Sequence, residues 1–209
     1  MKKLFAIALF SLAGFAGQAQ ADVVSIDTQS SFSALGSISQ NTNFDAYVDE
    51  WTYPGSPFTV GSLTFVEGGQ NLIGGLLGYS MSRNLLTDNY IRGTTVNISG
   101  NYNLFALNAG NFSHASNTSF NVTTNLGSYS FDQNIGLAAN GGALTFVGFK
   151  ASQGEFFTSV RVYGSGATGF TDVQIGSVAA VPEPETYAML FAGLGLIGAA
   201  VRRRNAKQA

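Results

Sequence analysis

The side chains best suited to chemistry are few. Asp49 and Glu50 are the one close pair of acids in the body of the chain, just ahead of Trp51. Neighbours on a strand point to opposite faces, so this pair cannot work together as acid and base. The single histidine, His114, lies in a polar, turn-like stretch, residues 111–117, and reads as a solvated loop residue. One histidine excludes multi-histidine metal sites, and the absence of cysteine excludes disulfides, thiolate zinc sites and cysteine nucleophiles. There is no Gly-x-Ser-x-Gly elbow, Walker loop or metalloprotease motif. No catalytic residue is assigned, and the expectation is a protein that is not an enzyme.

Two binding chemistries are better represented. A flat aromatic ring packs against a sugar face while amide and carboxylate side chains bond its hydroxyls. Trp51 and Tyr53 would share one face of a strand, and Tyr47 joins them ahead of Pro54-Gly55. Tyr47, Trp51 and Tyr53 are therefore candidate carbohydrate-binding residues; for Trp51 the alternative is a core anchor. Calcium takes about six to eight oxygens. Asp172 and an N-terminal acid such as Asp45 or Asp27 would supply two, without any Asp-x-Asp-x-Asp-Gly loop. The alternative for Asp172 is to cap a strand or turn. No cofactor is expected beyond such a structural calcium.

The charges show which parts of the chain are fold and which are address. Of 209 residues, 10 are Lys or Arg and 12 Asp or Glu. Lys2, Lys3, Arg202, Arg203, Arg204 and Lys207 sit at the two ends, which leaves Arg83, Arg92, Lys150 and Arg161 as the cations of residues 22–181. A body with four scattered cations has no basic patch, so nucleic acid is not an expected partner. Residues 1–21 read as a secretory signal peptide. Lys2-Lys3 precede the apolar run from Leu4 to Phe15, and Ala19-Gln20-Ala21 forms an A-x-A cleavage site at Ala19 and Ala21.

The C-terminus has three parts in order: a linker over 177–186 containing Val181-Pro182-Glu183-Pro184, an apolar stretch over 187–201, and a basic end over 202–209. The prolines keep the linker extended and open to a processing enzyme. The apolar stretch would be roughly 22 Å long as a helix, against a hydrocarbon core of about 30 Å, so it is expected to be a marginal transmembrane helix. Arg202-Arg203-Arg204 would act as a cytoplasmic stop-transfer cluster. This arrangement resembles the PEP-CTERM sorting signal of Gram-negative bacteria. The resemblance implies an exosortase as processing partner, removal of the tail, and a final place at the cell surface or in an exopolysaccharide or biofilm matrix. The expectation is export through the inner membrane, with transient anchoring in it by the C-terminal helix.

The body, residues 22–176, shows period-2 patterning broken by Gly, Asn and Ser, as in antiparallel sheets with one wet face. Strands are expected over 62–66, 94–99, 104–107, 119–123, 144–149, 157–163 and 170–175, with 68–78 as a loop. The predicted fold is all-β, a single antiparallel sandwich of jelly-roll type. The run from Phe146 to Gly176 is similar to the closing strands of many exported PEP-CTERM bodies, which resemble lectin or carbohydrate-binding jelly rolls. In some of those the acid at the position of Asp172 helps bind calcium; the acid often beside it is Thr171 here. The leading functional expectation is a non-catalytic matrix protein that binds exopolysaccharide. A structural or adhesive matrix protein without sugar binding comes second, and a secreted hydrolase third.

Overall fold

The computed structural model describes residues 22–46, 51–52, 54–67, 71–74, 85–88, 93–112, 115–138, 142–164, 168–179 and 189–198. The expected signal peptide, the Val181-Pro182-Glu183-Pro184 motif and the Arg202-Arg203-Arg204 cluster lie outside them.

The chain runs β1 (Val23–Ile26), α1 (Gln29–Ser33), β2 (Gly36–Thr42), β3 (Trp51–Thr52), β4 (Phe58–Val60), β5 (Leu63–Glu67), β6 (Asn71–Gly74) and β7 (Leu85–Asp88). It continues with β8 (Thr94–Ile98), β9 (Leu104–Asn111), β10 (Ser116–Thr124), β11 (Ser128–Ile135), β12 (Thr145–Ala151), β13 (Phe157–Gly164) and β14 (Thr168–Val178). All the strand pairings are antiparallel. An eight-stranded sheet has the order β1-β12-β9-β14-β7-β6-β3, with β2 also paired to β14. A six-stranded sheet has the order β11-β10-β13-β8-β5-β4.

Alternation dictates what lies between the sheets. In β10 every second residue is buried, and Phe120 and Val122 enter the core. β9 and β14 are buried on both faces; β9 opens on the apolar run Leu104–Leu107, whereas β14 buries the polar Thr171, Asp172 and Gln174 among its apolar residues. The core joins Phe105, Phe149 and Phe170 of the larger sheet to Phe65, Phe120 and Phe157 of the smaller. Ring pairs bridge the layers: Phe120–Phe149 at 5.7 Å, Phe105–Phe157 at 6.2 Å and Phe65–Phe170 at 6.3 Å between centroids. On the other side of the larger sheet, α1 lays Phe32 over Leu104 and Ala106, edge-on to Phe146 at 5.7 Å. Thr28 caps this short helix by accepting a hydrogen bond from the Ser31 amide.

The expected architecture, with its loop over 68–78, and the expected transmembrane helix are both corrected. The chain is all-β with two facing sheets, but it does not form a jelly roll. A jelly roll divides eight strands between two sheets with Greek-key crossings. Here the sheets have six and eight strands and are not closed on one another. Among the described residues, successive strands pair only at β4–β5, β6–β7 and β10–β11; Gly61-Ser62 joins β4 to β5, with Gly61 at φ +57°, and residues 125–127 join β10 to β11. The expected loop over 68–78 is corrected in part, because Asn71–Gly74 forms β6 against β7.

The second correction concerns the transmembrane helix expected over 187–201. Among the described residues the helix covers 189–198, and no helix is long and apolar enough to cross a membrane. Ten helical residues rise about 15 Å, half of a hydrocarbon core of about 30 Å. Gly193, Gly195 and Gly198 add three poor helix formers to this short stretch. Anchoring by this helix, and the membrane as a partner through it, are withdrawn with it.

Phe149 touches Phe105, Phe120 and Phe131 at 6.5, 5.7 and 4.9 Å. Phe149→Ala should lower the stability of the body by about 3–5 kcal/mol. Urea unfolding followed by circular dichroism reads the loss.

Candidate functional site

The two outer faces differ. α1 covers part of the larger sheet, whereas the smaller sheet presents a row of polar side chains across all six strands. Following the register, Ser128, Thr123, Ser159, Asn97, Thr64 and Thr59 stand side by side. Strands spaced about 4.8 Å apart make this row about 24 Å long. A second row sets Ser130, Asn121, Arg161 and Thr95 abreast, and a third sets Asp132, Ser119 and Tyr163 abreast.

Cross-strand hydrogen bonds hold several of these groups in place. Ser119 Oγ donates to Asp132 at 2.5 Å, Ser130 Oγ donates to Asn121 at 2.9 Å, and the Thr59 and Thr64 hydroxyls are 3.0 Å apart. The Arg161 guanidinium carbon lies 5.3 Å from the centre of the Tyr163 ring, a cation–π contact on an exposed strand. The face therefore combines ordered hydroxyls and amides with one cation, one carboxylate and one aromatic ring.

The residues singled out from the sequence lie elsewhere. Trp51 is in β3, which pairs with β6 in the eight-stranded sheet, so it does not belong to the polar face of the six-stranded one. Tyr47, Tyr53, the Asp49-Glu50 pair and His114 lie outside the described residues. Asp45 is exposed next to Phe44 in the segment after β2. Asp172 has a conformational role. It sits at φ +51°, at the bulge between Thr171 and Gln174 in the β9 pairing. At this point the other edge of β14 changes partner, from β7 at Gly169–Phe170 to β2 from Val173 onward. Asp is among the few residues apart from Gly that adopt positive φ readily. Its Oδ2 accepts a hydrogen bond from Asn108 at 2.9 Å. Among the described residues no group of three or more His, Cys, Asp or Glu side chains could hold a metal ion. The structure does not bring Asp172 and Asp45 into such a group.

A carboxylate that sequence reasoning missed is Glu155, which is 2% exposed. Its Oε1 accepts hydrogen bonds from Thr124 Oγ1 at 2.6 Å and the Tyr129 hydroxyl at 2.8 Å, and its Oε2 accepts one from the Asp22 backbone N–H at 3.0 Å. The sequence Ser152-Gln153-Gly154-Glu155 looks like an ordinary polar turn, and nothing local marks the acid as buried.

Comparison with known proteins yields one match. The sequence model of the PEP-CTERM protein-sorting motif covers residues 180–204. The chain is a secreted protein bearing a PEP-CTERM sorting signal. That motif supports an exosortase as its processing partner and contains Val181, Pro182, Glu183, Pro184 and the Arg202-Arg203-Arg204 cluster. No curated protein and no solved structure matches the chain.

Tyr129 titrates above its ordinary range because it is partly buried, because it donates to Glu155, and because Glu155 and Asp22 are negative. A raised folded pKa means that the folded state holds this proton more tightly. Its contribution to stability is complete below the unfolded value of about 10 and is lost as pH rises through the folded value. Unfolding curves collected above pH 10 should show a steeper fall for the wild type than for Tyr129→Phe, and equal slopes would contradict this assignment.

Proposed function

We propose that the sorted protein is a non-catalytic matrix component that binds polysaccharide through the outer face of its six-stranded sheet. The reading rests on the polar row from Ser128 to Thr59 together with the exposed Tyr163 ring two rows away on the same face. An extended glycan laid obliquely across the three rows would exchange hydrogen bonds with hydroxyls and amides on successive strands. Tyr163 would offer its ring to a sugar face, and Arg161 would contact anionic substituents. Residues 22–181 carry four cations against ten acids, a net charge of −6. Retention of an anionic polymer would thus rest on local hydrogen bonds and the one Arg161 contact, and only weakly on general electrostatic attraction.

Two experiments test this reading. Retention on immobilised neutral and acidic polysaccharides, with and without Ca²⁺, should fall about fivefold or more for Tyr163→Ala and for Arg161→Ala while both variants stay folded. If no polysaccharide retains the wild type, a structural or adhesive role without sugar binding takes its place. For sorting, deletion of residues 182–204 should change where the body accumulates in the producing cell. Unchanged surface display, read by antibody labelling of intact cells, would contradict exosortase processing.

A further inference from the structure

Position 22 is held from both sides. Its backbone N–H points at Glu155 Oε2 at 3.0 Å, and its carbonyl accepts from both the amide and the hydroxyl of Ser152 at 3.0 Å each. From there β1 runs antiparallel to β12, with Val23 opposite Ala151 and Val24 opposite Lys150. Glu155 itself is met by neutral donors, the Thr124 and Tyr129 hydroxyls and one amide, with no cation paired to it among the described residues. A buried carboxylate without a counter-charge is costly. The nitrogen that reaches it belongs to the residue directly after Ala19-Gln20-Ala21.

We propose that removal of the signal peptide between Ala21 and Asp22 supplies the missing cation: the new α-ammonium of the exposed Asp22 forms a partly buried ion pair with the Glu155 carboxylate. In the cut, water cleaves the Ala21–Asp22 amide under a signal peptidase. The Ala21 carboxylate leaves with the peptide, and the Asp22 nitrogen takes up protons to become –NH₃⁺. An amide with one N–H becomes a charged group with three. Oε2 has one hydrogen bond where Oε1 already has two, so it has capacity for the stronger contact. The pair ties β1 to the turn before β13. Processing thereby tightens the edge of the larger sheet that β1 forms, where the uncut precursor has one neutral N–H to Glu155 in place of the ion pair. The charged or titratable groups around the ammonium are Glu155, the Asp22 side chain, the Tyr129 phenol and, on β12, Lys150.

The test uses the mature protein isolated from producing cells. Mass spectrometry should find its N-terminus at Asp22; a chain beginning elsewhere overturns the proposal. Brief acetylation across a pH series then reports the reactivity of the α-amine, with Lys150, the body's one lysine, as internal reference. Burial alone would lower the pH at which the α-amine becomes reactive, whereas an ion pair raises it. The expected half-point lies about one pH unit or more above the ordinary α-amine range of about 7.7–8.0. In Glu155→Gln it should fall back to that range or below. A wild-type half-point in or below the ordinary range overturns the proposal even if the variant does not accumulate. So does an elevated half-point that survives Glu155→Gln.

Discussion

Contact between phenylalanine rings across the two sheets is the interaction on which the rest of the molecule depends. With no cysteine in the chain and no metal cluster among the described residues, no disulfide or metal site substitutes for that contact. Phe120 against Phe149, Phe105 against Phe157 and Phe65 against Phe170 bring the sheets into register at three separate places. Offset and edge-on rings give these contacts direction as well as buried area. Their spacing determines which strand faces which, and so which side chains are left facing out.

Buried polar groups complete the register that the rings begin. Asn111, fully buried, donates to the Ile135 carbonyl at 2.8 Å and accepts from Thr168 at 2.6 Å, joining β9 to β11 and β14. Gln40 donates to the Val60 carbonyl and accepts from the Ser62 amide, clamping the β4–β5 hairpin of the smaller sheet to β2 of the larger. Such contacts add modest net stability, but losing one partner leaves the other unsatisfied, which penalises alternative registers. Glu155 belongs to this set and differs in being charged. Two buried hydroxyls, Ser116 Oγ and Thr171 Oγ1, have no hydrogen-bond partner; neither lies on the open polar face.

The two sheets divide the work. The larger has α1 packed on its outer side, and its central strands are buried on both faces, as strands covered from both sides must be. The smaller keeps one wet face, where Ser, Thr and Asn side chains repeat at the strand spacing. A flat array of this kind needs a rigid support, and the phenylalanine layer beneath it provides one. The sorting motif follows β14 of the other sheet, so the proposed binding through this face would leave the C-terminal end free for processing.

Local patterning was enough to locate β5, β8, β9, β10, β12, β13 and β14, because alternation of apolar and polar residues is a property of a few consecutive side chains. It missed α1 and the strands β1, β2, β3, β4, β6, β7 and β11: α1 has five residues and all of these strands but two have four or fewer, too short for a period to emerge, while β2 and β11 are longer but bury only their last residue fully. The order of the sorting tail was legible because a processing enzyme reads it as linear sequence. The extent of its helix was not: among the described residues it covers 189–198 of the expected 187–201. Sheet membership was beyond local reading as well. Trp51 and Tyr163 look equally suited to a sugar as isolated aromatics, and only pairing put Trp51 on the larger sheet and Tyr163 beside Arg161 on the open face of the smaller. Glu155 and Asp172 show the same limit from inside: one acid became a buried acceptor and the other a bulge at which β14 changes partner. By itself the sequence determined the longer alternating strands, the charge balance and the sorting tail, each carried by neighbouring residues. The tertiary structure alone decided the two-sheet topology, the open polar face and the meeting of Asp22 with Glu155, because each depends on residues far apart in the chain.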